Sequence, residues 1–436
     1  MARKMRYGAN MNVQRRSGTR RAIRQKQLLA TLASLLLCAL MGFGVWRVTK
    51  AEEPKPSEET PEPTKGVTVI DGTQSLAGPH GLYTDGFLQG LSEDDLWMED
   101  FEDTRTRTNV KAMYLTADVI NKKMDTILDL LDTTELNAVV IDIKNDDGFI
   151  VVDTDSEYLD GLGNKNLLFN NFDEIVQKFK EHDVYLIARI VCFRDLRTVK
   201  ANESFGVRMK DGSLMKDSSG YTWMNPLNEE TWEYLTEVGR QAAKLGFDEV
   251  NFDYCRFSTD GKMKDADFGV ELTTEVKMDA ITGFVKYACE NLKPLGVFVS
   301  VDVFGVVISS EIDAAAVGQS YSDMAKYLDY ICPMVYPSHY GKGYYNLDVP
   351  DAHPYDLIYN SMLDSKKKLS ANVASGRCAD VRPWLQAFTA TWVSGHITYG
   401  GPQIRDQING TYDAGYSGWL LWNAAGNYSK DGLLQE

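Results

Sequence analysis

Residues 249–257 read EVNFDYCRF. The stretch is short, apolar and aromatic, the composition of a strand. One carboxylate, Asp253, stands in its middle. Seven other segments share the composition: 111–117 (KAMYLTA), 137–144 (NAVVIDIK), 184–193 (VYLIARIVCF), 297–304 (VFVSVDVF), 329–337 (DYICPMVYP), 382–389 (RPWLQAFT) and 417–423 (SGWLLWN). Helical periodicity separates them, at 124–133, 172–181, 228–245, 273–291 and 355–368. The helix at 228–245 opens on an Asn cap candidate and carries Trp232, Leu235 and Val238 at helical spacing. Strands that alternate with helices imply parallel βαβ units. Eight strands in this rhythm predict an α/β fold, a (β/α)8 TIM barrel over residues 110–436. A doubly wound open sheet is the rival. It usually carries a Gly-rich phosphate turn after its first strand, and none follows 111–117.

In such a barrel the chemistry gathers at the C-terminal ends of the strands. The second strand ends in Asp142-Ile143-Lys144-Asn145-Asp146, and period two puts Asp142, Lys144 and Asp146 on one face. The third carries Arg189, the fourth Asp253 and Arg256, and the fifth Asp302. The sixth ends in Tyr336 and His339, the seventh offers Gln386, and the eighth ends in Trp422 and Asn423. A carboxylate inside an apolar strand is costly to bury alone. Asp253 therefore calls for a partner, and Arg256 or Arg189 can supply one. Asp302, in SVDVF, calls for the same. A bracing Asp–Arg pair is the structural alternative for each.

Two carboxylates across a cleft are the minimum machinery for cleaving a glycosidic bond. Asp253 and Asp302 are the catalytic candidates on this reading. Asp142, Lys144, Asp146, Arg189, Arg256, Tyr336, His339, Gln386, Trp422 and Asn423 are candidates for holding substrate. Trp223, Tyr254, Trp384, Trp392 and Trp419 add rings that can stack on sugars or fill core. Other chemistries find less support. The five His form no HExxH or HxxxH pattern, so no metal is expected. A metal held by Asp142, Asp146 and His339 would be the exception. No GxSxG elbow or phosphate loop occurs, and no cofactor is implied.

The charge is unevenly placed. Residues 1–50 hold 11 Lys/Arg and no Asp/Glu, which leaves 35 basic against 62 acidic residues in the remainder. A body this acidic repels nucleic acid and suits a neutral or cationic substrate better than a polyanion. Residues 28–46 carry no charge over a length that spans about 28 Å as a helix. A basic tail at 1–27 precedes them. The positive-inside rule then predicts a single-pass anchor at the cell membrane, with the tail cytoplasmic and the rest extracellular. A cleaved signal or a lipoprotein at Cys38 are rivals, and both also put the body outside. Residues 47–66, rich in Pro and Glu, read as a disordered linker, and 67–109 as an N-terminal extension. Six Cys without a CxxC pair signal neither a zinc site nor a disulfide framework.

Five segments carry a family resemblance: VKAMYLTADV at 110–119, LNAVVIDIKNDDG at 136–148, FDEVNFDYCRF at 247–257, SVDVFG at 300–305 and GWLLWNAAGNY at 418–428. On them, residues 110–430 resemble an uncharacterised bacterial family of glycoside hydrolase domains, distantly similar to the alpha-amylase type of barrel. The resemblance implies a retaining or related glycosidase with Asp253 in the nucleophile position at the end of strand four. It places the acid/base on strand five, at Asp302. The alpha-amylase type normally has Glu there, and Pro where this chain has Ala424. Together these readings predict an extracellular glycoside hydrolase acting on a cell-envelope or capsular polysaccharide. A catalytically inactive glycan-binding or scaffold barrel is the alternative.

Overall fold

A computed structural model describes residues 101–434. The basic tail, the apolar run at 28–46, the linker and most of the extension lie outside the described residues. Among the described residues no helix is long and apolar enough to cross a membrane.

Strand and helix alternate from the first element. They run β1 (Lys111–Leu115), α1 (Ala117–Thr133), β2 (Ala138–Lys144), α2 (Phe172–Glu181), β3 (Tyr185–Val191), α3 (Glu229–Lys244), β4 (Glu249–Asp253) and α4 (Thr274–Leu292). They continue β5 (Phe298–Phe304), α5 (Glu311–Val317), β6 (Tyr330–Met334), α6 (Pro354–Lys368), β7 (Trp384–Gln386), α7 (Gly401–Asp413) and β8 (Trp419–Trp422). The strands pair in parallel in the order β7-β8-β1-β2-β3-β4-β5-β6, and a β6–β7 pairing at Met334↔Trp384 closes the ring. Among the described residues no helix follows β8. The closed parallel barrel with flanking helices fits the (β/α)8 architecture.

Local chemistry explains the element ends. Thr116 caps α1 by accepting from the Val119 N–H, and Asn228 caps α3 by accepting from Glu230. Helix α1 therefore starts earlier than the apolar spacing at 124–133 predicts. Pro383 has no N–H for a ladder, and the seventh strand breaks there. Asp380–Val381 pairs with β6, while Trp384–Gln386 pairs with β8. Strand β4 is shorter than the apolar stretch 249–257. It stops at Asp253 because Tyr254 takes the left-handed backbone region, at φ 51°.

The apolar residues sort into two layers. One fills the barrel with Ala112, Ala138, Val140, Ile187, Phe298, Cys332, Trp384 and Leu420. The other joins the outer strand faces to the helices and includes Val139, Ile141, Val176, Phe179, Leu235, Val250, Phe284 and Val301. Each Val, Leu, Ile or Phe among them contributes about 1.5–3 kcal/mol on burial. The four buried Cys lie in these layers as free thiols. At the N-terminal end of the barrel, Arg105 packs over Phe298 at 4.4 Å. It donates to the Val297 carbonyl and pairs with Asp329.

Candidate active site

Register decides which side chains meet. In a parallel sheet, paired residues face the same side. Asp142 pairs with Arg189, Arg189 with Asn251, and Asn251 with Ser300. One level higher, the same register sets Asp253 beside Asp302, since Phe252 pairs with Val301. All six line the barrel interior toward its C-terminal end.

The Arg189 guanidinium, 1 % exposed, holds the group together. Its Nε and Nη2 donate to Asp253 Oδ2 at 3.0 and 2.6 Å. Its Nη1 donates to Asp142 Oδ1 at 2.7 Å and reaches Asp146 Oδ2 at 3.5 Å. Asp142 Oδ2 accepts from the Tyr114 hydroxyl at 2.6 Å, and Asp253 Oδ1 accepts from the Tyr254 N–H at 2.6 Å. Burial raises the Asp142 pKa against the opposing pull of Arg189. Arg189 thus bridges Asp142 and Asp146.

Asp302 has a different environment. It is 2 % exposed and forms no ion pair with a cation among the described residues. Its Oδ1 accepts from Asn251 Nδ2 at 2.9 Å and from Trp384 Nε1 at 2.7 Å. Its Oδ2 accepts nothing from the described residues and is not among the sealed, partnerless polar atoms. Burial, and then the negative charge of Asp253, push its pKa well above the carboxylate range. Oδ2 is the oxygen of Asp302 left without a donor among the described residues. Tyr336 packs into the same interior, and burial followed by Asp302 and Asp253 raises its hydroxyl pKa. Tyr114 and Trp422 stack at 4.2 Å, with the Arg189 guanidinium 5.7 and 5.5 Å from their centroids.

The remaining candidates separate from this group. A bulge between Asp142 and Lys144 interrupts the alternation, so Lys144 leaves the face of Asp142. Fully buried, it pairs with Asp195 at 2.7 Å and donates to the Val191 carbonyl. It cannot touch a substrate. The α-carbon of Gly148, at φ 90°, lies so close to the Asp195 carboxylate that a Cβ would collide with it. Gln386 is fully buried too. It accepts from the Ser338 N–H at 3.0 Å and donates to Asp351 at 2.9 Å, bracing two loops. Asn423 donates to the Ala387 and Asn427 carbonyls at 2.7 and 3.0 Å and accepts from Ala425, which shapes the turn after β8. His339 is exposed, with its ring 5.3 Å from that of Tyr336. Arg256 pairs with neither Asp253 nor Asp302. It lies 5.0, 5.2 and 4.6 Å from the rings of Trp223, Tyr254 and Phe304. Tyr114, Asn251 and Arg194 also belong to the neighbourhood. Composition gave no signal for Tyr114, because a Tyr in a strand is ordinarily core.

Residues 112–428 match the model of a family described as "putative glycosyl hydrolase domain". Among solved structures, the chain is similar to a hypothetical protein from Ruminiclostridium thermocellum, with 32% identity over 45% of this chain and 99% of that one, TM-score 0.40. It is similar to the PgaB (BpsB) glycoside hydrolase domain from Bordetella bronchiseptica, with 12% identity over 73% and 95% of the two chains, TM-score 0.53. It is also similar to the maltogenic alpha-amylase AmyB from Thermotoga neapolitana, with 13% identity over 72% and 67%, TM-score 0.44. The PgaB likeness bears on the fold alone. No curated protein matches the chain.

Proposed function

The chain belongs to the glycosyl hydrolase domain family whose model it matches, and from that premise we propose that it cleaves a cell-envelope or capsular polysaccharide with Asp253 and Asp302. One observation carries the assignment of roles. Two carboxylates stand side by side in unlike environments. Asp253 faces a guanidinium and a backbone N–H, while Asp302 is buried without a cation. Asp253 then attacks the anomeric carbon, and Asp302 gives its proton to the leaving oxygen. Neighbouring strands lie about 4.8 Å apart. Adjacent strands therefore carry both carboxylates on one wall of the barrel, and the family resemblance supports a retaining mechanism. Tyr114, Trp422 and Tyr336 pack in the same barrel interior. The uncharged run at 28–46, with its basic flank, supports a membrane anchor and an extracellular barrel.

The test is release of reducing ends from envelope or capsular glycan by the full-length chain. Proton NMR of the first product should show retained anomeric configuration. Inverted product would remove the two-step mechanism. Undiminished release by Asp253→Asn would remove Asp253 from it. The non-catalytic reading draws support from the burial of both carboxylates, 6 % and 2 % exposed. It predicts glycan binding without any turnover in the same assay.

A further inference from the structure

Five cationic residues are buried among the described residues: Lys144, Arg189, Arg256, Lys293 and Arg382. Four have a carboxylate within ion-pairing distance, at Asp195, at Asp142 with Asp146 and Asp253, at Asp329, and at Glu249. Arg256, 6 % exposed, has none. A buried charge without a counter-charge is costly, and a fold keeps one at a stability penalty unless something else neutralises it.

The nearby acids are already engaged. Asp253 is held by Arg189 and by the Tyr254 N–H. Asp217 accepts from the Trp223 indole with Oδ2, and from the Ser219 and Tyr221 N–H groups with Oδ1. Arg256 spends Nη1 on the Phe257 carbonyl at 3.0 Å and makes no other hydrogen bond to the described residues. Its Nε and Nη2 are not among the sealed, partnerless atoms, unlike Nε and Nη1 of Arg382. Solvent therefore reaches one edge of this guanidinium. That edge carries two parallel N–H groups, the pattern that grips both oxygens of a carboxylate.

Its position matters as much as its chemistry. Arg256 lies three residues after Asp253, through a tight turn in which its N–H donates to the Tyr254 carbonyl at 2.9 Å. It packs on Phe304, two residues after Asp302. The left-handed Tyr254 ties the site to the carboxylate pair, its ring 5.2 Å from Arg256 and 5.1 Å from Arg194. Arg194 also stacks on Tyr221 at 3.8 Å and donates to the Tyr254 hydroxyl at 3.2 Å. Burial pushes the Arg256 pKa down to about 10, which leaves it charged at neutral pH.

We propose that the free edge of Arg256, walled by Trp223, Tyr254 and Phe304 beside the Asp253–Asp302 pair, binds the carboxylate of an acidic sugar, so that the glycan cut by this barrel carries one. The inference rests on the glycosidase reading and names its substrate class. The strongly acidic body limits that class. It repels a densely charged chain, so the carboxylates are sparse along the glycan.

The test is calorimetric titration of the full-length chain with methyl glucuronoside and N-acetylmuramate, against methyl glucoside and N-acetylglucosamine. Glucose 6-phosphate and glucose 6-sulfate supply the other anions. Either carboxylate sugar should bind at least about tenfold more tightly than its neutral counterpart, and the two together tell a uronate from a lactyl carboxylate. Arg256→Ala should abolish that preference. Arg256→Lys, which keeps charge and volume, should fold and lose most of it, because an ammonium lacks the paired donors. Asp253→Asn should be inactive and keep the preference, so a failed glycosidase reading and a failed carboxylate site give different results. Equal binding of acidic and neutral sugars overturns the proposal. So does a preference for phosphate or sulfate, or a carboxylate preference that survives in Arg256→Lys.

Discussion

The barrel interior holds a buried ion pair at each end, and the two are built differently. Toward the N-terminal end, Glu249 pairs with Arg382 and accepts from Tyr185 at 3.0 Å and Ser300 at 2.5 Å. Arg382 stacks 3.8 Å over Tyr330, and its Nε and Nη1 are sealed without partners. One base meets one acid, and nothing is accessible. At the C-terminal end, Arg189 meets Asp142, Asp146 and Asp253, while Asp302 stands nearby with no base. Acid outnumbers base there, and Asp302 Oδ2 is not sealed. A closed one-to-one pair braces a core. An excess of carboxylates at one mouth raises the pKa of a buried acid, the arrangement a proton donor needs. Ser300 and Asn251 link the two ends, since Asn251 donates to both Ser300 and Asp302.

Four substitutions break or sharpen that contrast. Asp253→Asn should lower kcat on the order of 10^4-fold in the reducing-end assay, as loss of a nucleophile does. Its stability should fall only about 1.5–3 kcal/mol, because Arg189 keeps Asp142 and Asp146. Glu249→Gln should do the reverse. Leaving Arg382 unpaired should cost about 3–5 kcal/mol in urea unfolding, with kcat per folded molecule kept. A large loss of kcat there, at full folding, would erase the distinction between the two ends.

Asp302→Asn should abolish activity while raising stability, and its pH dependence fixes the sign. Below the ordinary carboxylate range, folded and unfolded chains both carry the proton. As pH rises, the unfolded chain releases it and folded Asp302 retains it, so wild-type stability falls until its own raised pKa is passed. Asn mimics the protonated form. The variant should melt above the wild type at neutral pH and level with it below about pH 4. A variant that melts lower at pH 7 would show that Asp302 is charged and paired. The same ionisation should set the alkaline limb of wild-type activity. The smallest effect belongs to Tyr114→Phe, which removes one hydrogen bond to Asp142. About 1 kcal/mol of stability and a several-fold fall in kcat/KM are expected.

Much of this was legible in residue order. The stretches around Tyr114, Val140, Ile187 and Phe252 are strand-like by composition, and helical spacing separates them. Asp253 and Asp302 stood out because a carboxylate inside an apolar strand needs an explanation. The sequence also marked Arg189 as one of two partners for Asp253, but adjacency favoured neither. Lys144 was misplaced because strict alternation cannot anticipate a bulge. Gln386 and Asn423 sit at strand ends, where substrate contacts are expected, yet their hydrogen bonds go to loop backbone and to Asp351.

Residue order alone settled the eight strand segments, five of the helices between them, the acidity of the body and the carboxylates worth asking about. These follow from composition and short-range periodicity, which act within a few residues. Tertiary structure alone decided who meets whom. Arg189 reaches Asp142 across 47 positions and Asp253 across 64, because barrel closure and register set those side chains on one interior level. It decided that, among the described residues, Asp302 pairs with no base and Arg256, three residues from an acid, pairs with no carboxylate. A buried charge is defined by its neighbours in space, and the pairing of strands far apart in the chain, which no single segment specifies, selects them.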